Sequence, residues 1–572
     1  MRREFRNLVV VLVAAAVAFT LGCIGFARYG AANHIAYTPL DVMYLAWQLF
    51  SLESGSPAGP KSWQLEVARV LAPLVMASAV FGLFYTFLRD RWRQLRLATV
   101  RGHVIVCGLG RRGAQLAEEC AALGRRVVAI DTDLHAAGAP LIEGGGALFV
   151  PGDATAPATL ARAHIERAET LIALCGDDGT NIAIALRARE ALGGRACSTD
   201  KGRLNCIVQV MDFTFAALFR EHDVFRETGD CLDVSLFNSY EVAARVLLRD
   251  RPLDYSPIGA DDPRRVHLIV FGLGQMGESV VVQAAKVCHV ANGKRLAITV
   301  FDRAAGARQR SLLVRYPQLG QVCDITFVQT ECDDSRTIER VTQICADAAA
   351  LPSIAVCFDN DSGNAQYALS LRRHLMSDAV PILVRITADS GLSTLFNSAA
   401  SNHNLFCFGS AGATCTWETV RGGGVDALAR FIHEDYVAKQ RERGAAPSES
   451  TAAWDRLAPG LRESNRQQAD HLPVKLRALG YNVRTAADFP AGAVAVPPGA
   501  VETLARMEHA RWNAERFLAG WTLGEKDVAK RRSPYLVAYD ALPDAIQEYD
   551  RDTVRNIPLL VEATRRALVP RR

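Results

Sequence analysis

The 572-residue chain shows no excess of charge of either sign. It has 65 Lys and Arg against 61 Asp and Glu, a formal net charge of +4, and the two signs are interleaved along the sequence. This composition does not favour a nucleic-acid partner. None of the fourteen cysteines stands in a C-x-x-C pair, and no His/Glu pair has metal-ligand spacing. We therefore expect no metal site.

A catalytic constellation is also lacking. No Ser-His-Asp set surrounds a recognisable nucleophile elbow. A dehydrogenase would need a separate substrate domain with a general acid beside the nicotinamide, and the helical C-terminal part offers only His509. A single histidine on a helix is more often structural. We therefore expect a protein that is not an enzyme.

Two long apolar runs stand near the N-terminus. Leu8 to Phe26 and Val70 to Leu88 are 19 residues each and uncharged, which is long enough to cross a bilayer. A cleaved signal peptide is the alternative for the first run, but its apolar core is longer than such a peptide needs, and no clean small-x-small site follows. Arginines flank both runs on their outer sides: Arg2, Arg3, Arg6, Arg89, Arg91, Arg93 and Arg96. The intervening loop is poor in positive charge. Residues 1–100 are therefore predicted to be a two-helix hairpin in the cell (inner) membrane, with both termini cytoplasmic.

A shorter apolar segment lies between the two runs. Tyr37 to Asp41 looks like a helix start, and Val42 to Leu52 follows with about three turns of apolar and aromatic residues. That length cannot span a membrane, so we expect a re-entrant or interfacial helix. The irregular stretch after it supplies the pore candidates Ser51, Glu53 and Ser54.

Two glycine fingerprints follow, each after a valine- and isoleucine-rich strand. Both have the spacing G-x-G-x-x-G, which turns a chain tightly out of a strand and brings a helix N-terminus against a phosphate. Their glycines are Gly108, Gly110 and Gly113, then Gly272, Gly274 and Gly277. Asp131 and Asp302 end the next strand of each unit. A carboxylate there suits a ribose diol and repels a 2′-phosphate, so we expect NAD(H) or an adenine nucleotide (ATP or ADP) rather than NADP.

Alternating strands and helices after Arg101 indicate two parallel sheets, and the equal spacing of Asp178–Asn181 and Asp361–Asn364 indicates an internal duplication. Arg112 is a candidate for a phosphate contact in the first unit. Further binding candidates at predicted strand ends are Asp153, Asp177 and Asn181. Turn formation and helix capping are the alternative roles for these three residues. The second unit has a longer connection between its glycine fingerprint and Asp302. The sequence leaves open whether this unit binds a nucleotide or has only a structural role.

These features together resemble ion channels whose two-helix pore is joined to cytosolic regulator of potassium conductance domains, the RCK or TrkA-N family. The resemblance covers most of residues 102–440. It implies a homo-oligomer, most simply a tetramer, a monovalent cation, and a helix after each sheet that crosses to the partner lobe. The chain departs from the family at one place. The Thr-Val-Gly-Tyr-Gly run that forms a ring of carbonyls is absent, and Ser51 to Gly55 stands in its place.

The last part of the chain resembles a ryanodine-receptor-type (RyR) repeat domain. The similarity rests on scattered residues that include Arg511–Asn513, Gly520–Trp521 and Ser533–Pro534. Aromatics beside arginines can stack a base and pair with a phosphate. The ligand candidates are Arg511, Trp512, Trp521, Arg531 and Tyr539. Membership of a small helical core is the alternative for both tryptophans. The polar stretch Arg441 to Ser450 is a plausible linker, across which we expect few core contacts.

The expected fold is therefore membrane α plus α/β. A hairpin (1–100) precedes two doubly wound Rossmann lobes (101–255 and 256–440) and a helical RyR-like domain (441–572). The expected function is a nucleotide-regulated, potassium-channel-like subunit gated through its cytosolic domains. The alternative is a non-conducting, membrane-anchored nucleotide sensor that acts on a partner protein.

Overall fold

The structure is a computed structural model. It describes residues 2–51, 60–133, 138–193, 203–212, 215–216, 231–331, 334–388, 391, 396, 404–483 and 494–568. The chain divides into two compact units, Met1–Val100 and Arg101–Arg572.

The first unit consists of helices. They span Arg2–Ala32, Pro39–Gln48 and Trp63–Thr99, with a single 3₁₀ turn at Leu49–Ser51. The short helix begins where the sequence predicts, because Thr38 and Asp41 form a reciprocal capping box and Pro39 occupies the first turn. The two long helices pack closely at Gly25, where an added Cβ would lie 2.8 Å from Leu65. The small core of this unit includes Phe26, Ala46 and Leu65.

The outer faces of this unit are apolar. The segments Val9–Ala32 and Trp63–Phe81 are long and apolar enough to cross a membrane, judged by length and composition. Large apolar side chains point away from the unit's own core, including Val10, Trp47 and Phe81, which are 61%, 67% and 73% exposed. Such a surface is typical of a membrane protein. Ser51 is exposed at the end of the 3₁₀ turn. Glu53 and Ser54 lie outside the described residues.

The second unit contains two parallel sheets with the same topology. In the described part of the chain each sheet has six strands, and in each sheet their spatial order, counted along the chain, is third, second, first, fourth, fifth and sixth. The first sheet comprises β1 (Val104–Cys107), β2 (Val127–Asp131), β3 (Leu148–Pro151), β4 (Thr170–Ala173), β5 (Leu204–Gln209) and β6 (Leu232–Phe237). The second comprises β7 (Arg265–Phe271), β8 (Ala297–Asp302), β9 (Asp324–Gln329), β10 (Ala350–Val356), β11 (Ile382–Arg385) and β12 (Leu405–Phe408). Both are doubly wound Rossmann sheets, as predicted.

Helices connect the strands of each sheet. In the first lobe they span Arg111–Ala122, Ala139–Glu143, Pro157–Arg162, Asp178–Leu192 and Ser239–Asp250. In the second they span Gln275–Val287, Ala305–Arg315, Leu319–Val322, Ser335–Ala346 and Asp361–His374. After β12 the chain forms the helices Ala411–Thr414, Trp417–Val420 and Gly423–Glu442. The C-terminal region adds Pro459–Ala478, Pro498–Leu518, Asp544–Arg555 and Ile557–Leu568, with a two-stranded ladder of β13 (Thr522–Leu523) and β14 (Arg532–Ser533).

The duplication extends to side-chain chemistry at the strand ends. The Asn181 amide donates to the carbonyls of Cys175 and Gln209, and the Asn364 amide donates to the carbonyls of Phe358 and Arg385. Each asparagine is fully buried. It therefore ties the chain after the fourth strand of its lobe to the end of the fifth. This match makes Gln209 the counterpart of Arg385, and Cys175 the counterpart of Phe358.

The two lobes exchange the helices that follow their sheets. Ala244 and Leu247, on the helix after β6, belong to the core that contains Val281 of the second lobe. In return, Trp417, on a helix after β12, belongs to the core of the first sheet, where its backbone N–H donates to Glu119. This exchange is the crossing of helices that the family resemblance implies. It makes the two lobes a single packed body.

The C-terminal helices share a core with the second lobe. One continuous cluster contains Val281 and Cys288 of the second lobe together with Leu472, Leu476 and Met507. Ion pairs also join the C-terminal helices to the segment that follows β6: the buried pair of Arg477 with Asp254, and the half-buried Arg245 with Asp470. The expectation that few core contacts cross 441–450 is therefore wrong. The physical reason is that the helix Gln275–Val287 is buried on nearly all sides, and the C-terminal helices cover the face that solvent would otherwise reach.

Candidate functional site

The first glycine fingerprint forms a tight turn at the carboxyl end of β1. Gly108 has φ of +92°, in the region that favours glycine. A Cβ on Gly113 would lie 1.8 Å from the carbonyl oxygen of Gly108, so only glycine lets the helix Arg111–Ala122 begin this close to the strand. Gly110 differs, because a Cβ there would meet no atom within 4 Å. The Cα hydrogen of Gly110 that a Cβ would replace therefore points into open space. No side chain caps the helix Arg111–Ala122, which begins directly after Gly110. A phosphate fits such an uncapped N-terminus.

Asp131 lies at the carboxyl end of β2, next to this loop. Its Oδ2 accepts a hydrogen bond from the backbone N–H of Leu109 at 2.5 Å, and its Oδ1 accepts one from that of Asp133 at 2.9 Å. The carboxylate is therefore fixed in orientation and still partly exposed at the rim of the site. Each carboxylate oxygen retains a further lone pair that can accept from a ribose hydroxyl.

These residues open into a cleft of about 670 Å³, a size that accommodates a nucleotide. Arg111, Arg112 and Cys175 contribute to its wall. Burial, followed by the negative charges of Asp131, Asp153 and Asp177, raises the pKa of the Cys175 thiol to about 11. Cys175 is therefore a neutral, small wall residue at neutral pH. Arg111 and Arg112 place positive charge beside the glycine loop.

The three remaining first-lobe candidates are placed differently from one another. Asp153 lines the cleft, and its carboxylate accepts from the backbone N–H of Thr155. Asp177 is the N-cap of the helix Asp178–Leu192; hydrogen bonds from the backbone and hydroxyl of Thr180 lower the pKa of its carboxyl. Asn181 is buried beneath the strand ends and does not line the cleft. The geometry thus supports turn and capping roles for Asp177, and a strand-tying role for Asn181.

The second fingerprint repeats the turn but with different surroundings. Gly272 has φ of +84°, and the Asp302 carboxylate accepts from the backbone N–H of Leu273 at 2.8 Å, as Asp131 does from Leu109. A Cβ on Gly277 would lie 2.1 Å from the Gly272 carbonyl oxygen. The aromatic ring of Phe358, however, approaches Gly272, where the first lobe has the small Cys175.

The second loop itself contains no arginine, whereas the first contains Arg111 and Arg112. Met276 stands where the first lobe has Arg112 and is buried in the core, and the carboxylate of Asp359 faces Gly274. The bulky ring of Phe358 and the apolar Met276 beside the loop both disfavour a phosphate. The geometry therefore favours the first lobe as the nucleotide site, while binding at Gly272, Gly274, Gly277 and Asp302 stays a prediction.

The second lobe nonetheless contributes to the first-lobe cleft. Arg385 and Thr387, at the carboxyl end of β11, line the same cleft as Gly108 and Gly110, and Gly409 joins them. Sequence reasoning missed these residues because it assigned each fingerprint to its own lobe. The signal that could have found Arg385 is a charged residue at the end of a strand whose other residues are all apolar.

In the C-terminal region, Arg511 belongs to a buried charge cluster. Its guanidinium donates to Glu508 at 3.0 Å and to Glu515 at 2.8 Å, and Lys475 also donates to Glu508. Arg511, Lys475 and Glu508 are each no more than 3% exposed. Although burial opposes it, the charges of Arg511 and Lys475 hold the pKa of the Glu508 carboxyl well below its usual range. The arginine thus already has two carboxylate partners.

The two predicted tryptophans lie near the surface of this region, whereas the predicted tyrosine does not. The Arg516 guanidinium lies 5.4 Å from the ring centre of Trp512 and 4.8 Å from that of Trp521, and both tryptophans are half-buried. Arg531 is exposed, with φ of +50°, and donates to the carbonyl of Ala519. Tyr539 is buried and donates to Glu502. The structure therefore brings the two tryptophans together around Arg516, a residue that the sequence analysis did not single out.

Within the described residues, no group of three or more His, Cys, Asp or Glu side chains is arranged to hold a metal ion.

Comparison with known proteins identifies two domains. Residues 104–221 match the TrkA-N domain, and residues 498–563 match the RyR domain. The chain therefore contains a TrkA-N domain in its first Rossmann lobe and a RyR domain in its C-terminal helical region.

Related sequences match over short segments. An uncharacterized protein of Methanothermus fervidus is 30% identical over 116 residues, which is 20% of this chain and 18% of that protein. Potassium channel protein 1 of Methanocaldococcus jannaschii is 33% identical over 109 residues, 19% of this chain and 33% of that protein. The matched segments thus span a third or less of these relatives. Solved structures of the GsuK channel bound to ADP and to NAD cover 72% of this chain, at 16% and 15% identity, each with a TM-score of 0.37.

Proposed function

We propose that this protein is a subunit of a nucleotide-regulated, potassium-channel-like membrane channel. The observation that carries the proposal is the first-lobe cleft, in which Gly110 leaves space at an uncapped helix N-terminus beside Asp131. The ligand is NAD(H), ADP or ATP. The protein regulates transport and catalyses no reaction.

The apolar helices of the first unit support a membrane location. We propose that both termini lie on the cytoplasmic side of the cell membrane and that the hairpin contacts lipid. Four copies would surround a path for a monovalent cation, because one hairpin cannot enclose a pore. Ser51, Glu53 and Ser54 would lie near its narrow part.

Nucleotide binding regulates such a channel only through different affinities for its open and closed states. The exchanged helices give the lobes a means of responding together, because a change at one glycine loop is transmitted to a helix packed on the other lobe. The RyR domain is proposed to bind a second, nucleotide-derived ligand. Trp512, Trp521 and Arg516 support this role, since they pair stacking surfaces with a cation.

One observation favours a second candidate. The sequence lacks Thr-Val-Gly-Tyr-Gly and has Ser51 to Gly55 in its place. A protein without a carbonyl-lined filter could serve as a membrane-anchored nucleotide sensor that acts on a partner protein without conducting ions.

Purified protein in planar bilayers tests the two candidates. The channel proposal predicts a cation current that changes when ADP, ATP or NADH is added on the side of the cytosolic domains. The sensor alternative predicts no current under any of these conditions, together with measurable nucleotide binding. Glu53→Gln tests the pore assignment, because Glu53 is the acidic residue in the sequence Ser51 to Gly55 and its removal should reduce cation preference.

A further inference from the structure

The cleft at the first glycine fingerprint contains two buried donor atoms that the protein leaves unused. Nε2 of Gln209 and Nε of Arg385 are each buried without a hydrogen-bond partner. Gln209 is 2% and Arg385 is 7% exposed. Buried donors of this kind are rare because each costs about 1–3 kcal/mol when unsatisfied. Both residues line the same cleft.

The two residues occupy equivalent positions in the duplicated lobes. Gln209 ends β5 and Arg385 ends β11, and each offers its backbone carbonyl to the buried asparagine of its own lobe. Both therefore lie at the carboxyl end of a fifth parallel strand, the edge at which doubly wound sheets bind ligands. Each of the two equivalent positions thus carries a polar donor, and both side chains line one cleft.

The remaining contacts of Arg385 hold its guanidinium in place. Nη1 donates to the Phe358 carbonyl at 2.9 Å and to the Asp359 carboxylate at 2.7 Å. The Asp359 side chain is 87% exposed, so its pairing with Arg385 is weakened by solvent. An anion in the cleft could therefore compete for the same guanidinium and also satisfy Nε.

We propose that Gln209 and Arg385 bind the phosphate chain of a nucleotide held by the first-lobe glycine loop, so that this ligand bridges the two lobes. This inference rests on the proposed nucleotide site and adds the residues that connect it to the second lobe. Guanidinium and carboxamide N–H groups suit phosphate oxygens. The nucleotide's affinity then depends on how the lobes are arranged, and by reciprocity the nucleotide biases that arrangement.

Calorimetric titration of the full-length protein in detergent tests the proposal, with ADP and adenosine as the probes. Arg385→Gln should weaken ADP binding by about 10- to 100-fold, because a charge-assisted contact is lost, and should leave adenosine affinity unchanged. Gln209→Leu should weaken ADP binding by several-fold. Arg373→Gln is the matched control, since Arg373 is exposed at the end of the helix Asp361–His374, and it should change neither affinity.

Asp359→Asn provides a variant with the opposite expected sign. Removing the competing carboxylate should tighten ADP binding several-fold. Because this variant retains Arg385, it also tests the proposal if Arg385→Gln does not fold. Unchanged ADP affinity in Arg385→Gln and Asp359→Asn would overturn the proposal while leaving the first-lobe site intact. Failure of the wild-type protein to bind either probe would instead overturn the proposed function, and this inference with it.

Discussion

Replacing Gly110 with alanine separates ligand binding from folding. Gly110 has φ of −61° and ψ of −178°, which alanine adopts readily, and the added Cβ would meet no atom within 4 Å. Alanine is a poorer N-cap than glycine, so we expect a stability loss below about 1 kcal/mol. A bound pyrophosphate would contact this methyl group, because the glycine allows the backbone to approach it.

The expected loss of affinity follows from the contacts at the helix N-terminus. Charge-assisted hydrogen bonds are worth about 1.5–3 kcal/mol each, and displacing the phosphate by a methyl group breaks one or two of them. A loss of about 2–4 kcal/mol corresponds to roughly 30- to 1000-fold weaker binding. Calorimetry with ADP or NADH on full-length protein measures the affinity, and a thermal melt measures the stability.

Gly274→Ala is the matched control. It stands at the same fingerprint position in the second lobe, where the added Cβ would lie 3.9 Å from the Asp359 carboxylate. If the first lobe is the nucleotide site, this variant binds like the wild type. Wild-type affinity in Gly110→Ala, or an equal loss in Gly274→Ala, would refute the assignment of the site to the first lobe.

Three further predictions concern the C-terminal region. Glu508→Gln should lower the free energy of unfolding by about 3–5 kcal/mol, because it leaves Lys475 and Arg511 buried with less compensating charge. An unchanged denaturation midpoint would show that Glu508 does not stabilise the two buried cations. Burial, then the neighbouring His471, lowers the pKa of His289 to about 3 from 6.5. As the pH falls below 6.5, the unfolded chain therefore binds a proton at this histidine before the folded chain does. The free energy of unfolding should consequently be about 2 kcal/mol lower at pH 5 than above pH 6.5 because of this group. Thermal melts recorded against pH should show this decrease in the wild type and not in His289→Phe. A chain that ends at Gln440 should aggregate or lose nucleotide binding, because the truncation exposes the core around Val281. Size-exclusion chromatography and calorimetry test this expectation. A stable fragment that still binds nucleotide would contradict it.

Much of the fold could be predicted because strand and turn signals are local. The valine- and isoleucine-rich strand expected before the first fingerprint is β1, Val104–Cys107, an apolar run that ends at a glycine turn. The sixth strand of each sheet was not predicted. Leu232–Phe237 interleaves polar and apolar residues at a sheet edge, and Leu405–Phe408 has only four residues. Such edge strands are stabilised mainly by their neighbour, which a local pattern does not contain.

The candidate site was predictable only for residues of the first lobe, namely the fingerprint, Asp131 and Asp153. The glycine spacing placed Gly108, Gly110 and Asp131 together because a single β-α-β unit contains all three. Arg385 could not be found in this way, since packing between the lobes brings it to a cleft that begins 277 residues earlier, at Gly108. In the RyR domain, composition could not show that Arg511 faces inward to Glu508 while Arg516 lies between two tryptophans.

Current recording from the reconstituted full-length protein, with wild type and Gly110→Ala compared before and after addition of nucleotide, tests the central claim most directly. The account predicts a cation current in both proteins and a nucleotide-dependent change in wild type alone, because the alanine excludes the ligand without disturbing the fold. Equal nucleotide responses in the two proteins, or no current from the wild type in any nucleotide, would contradict it.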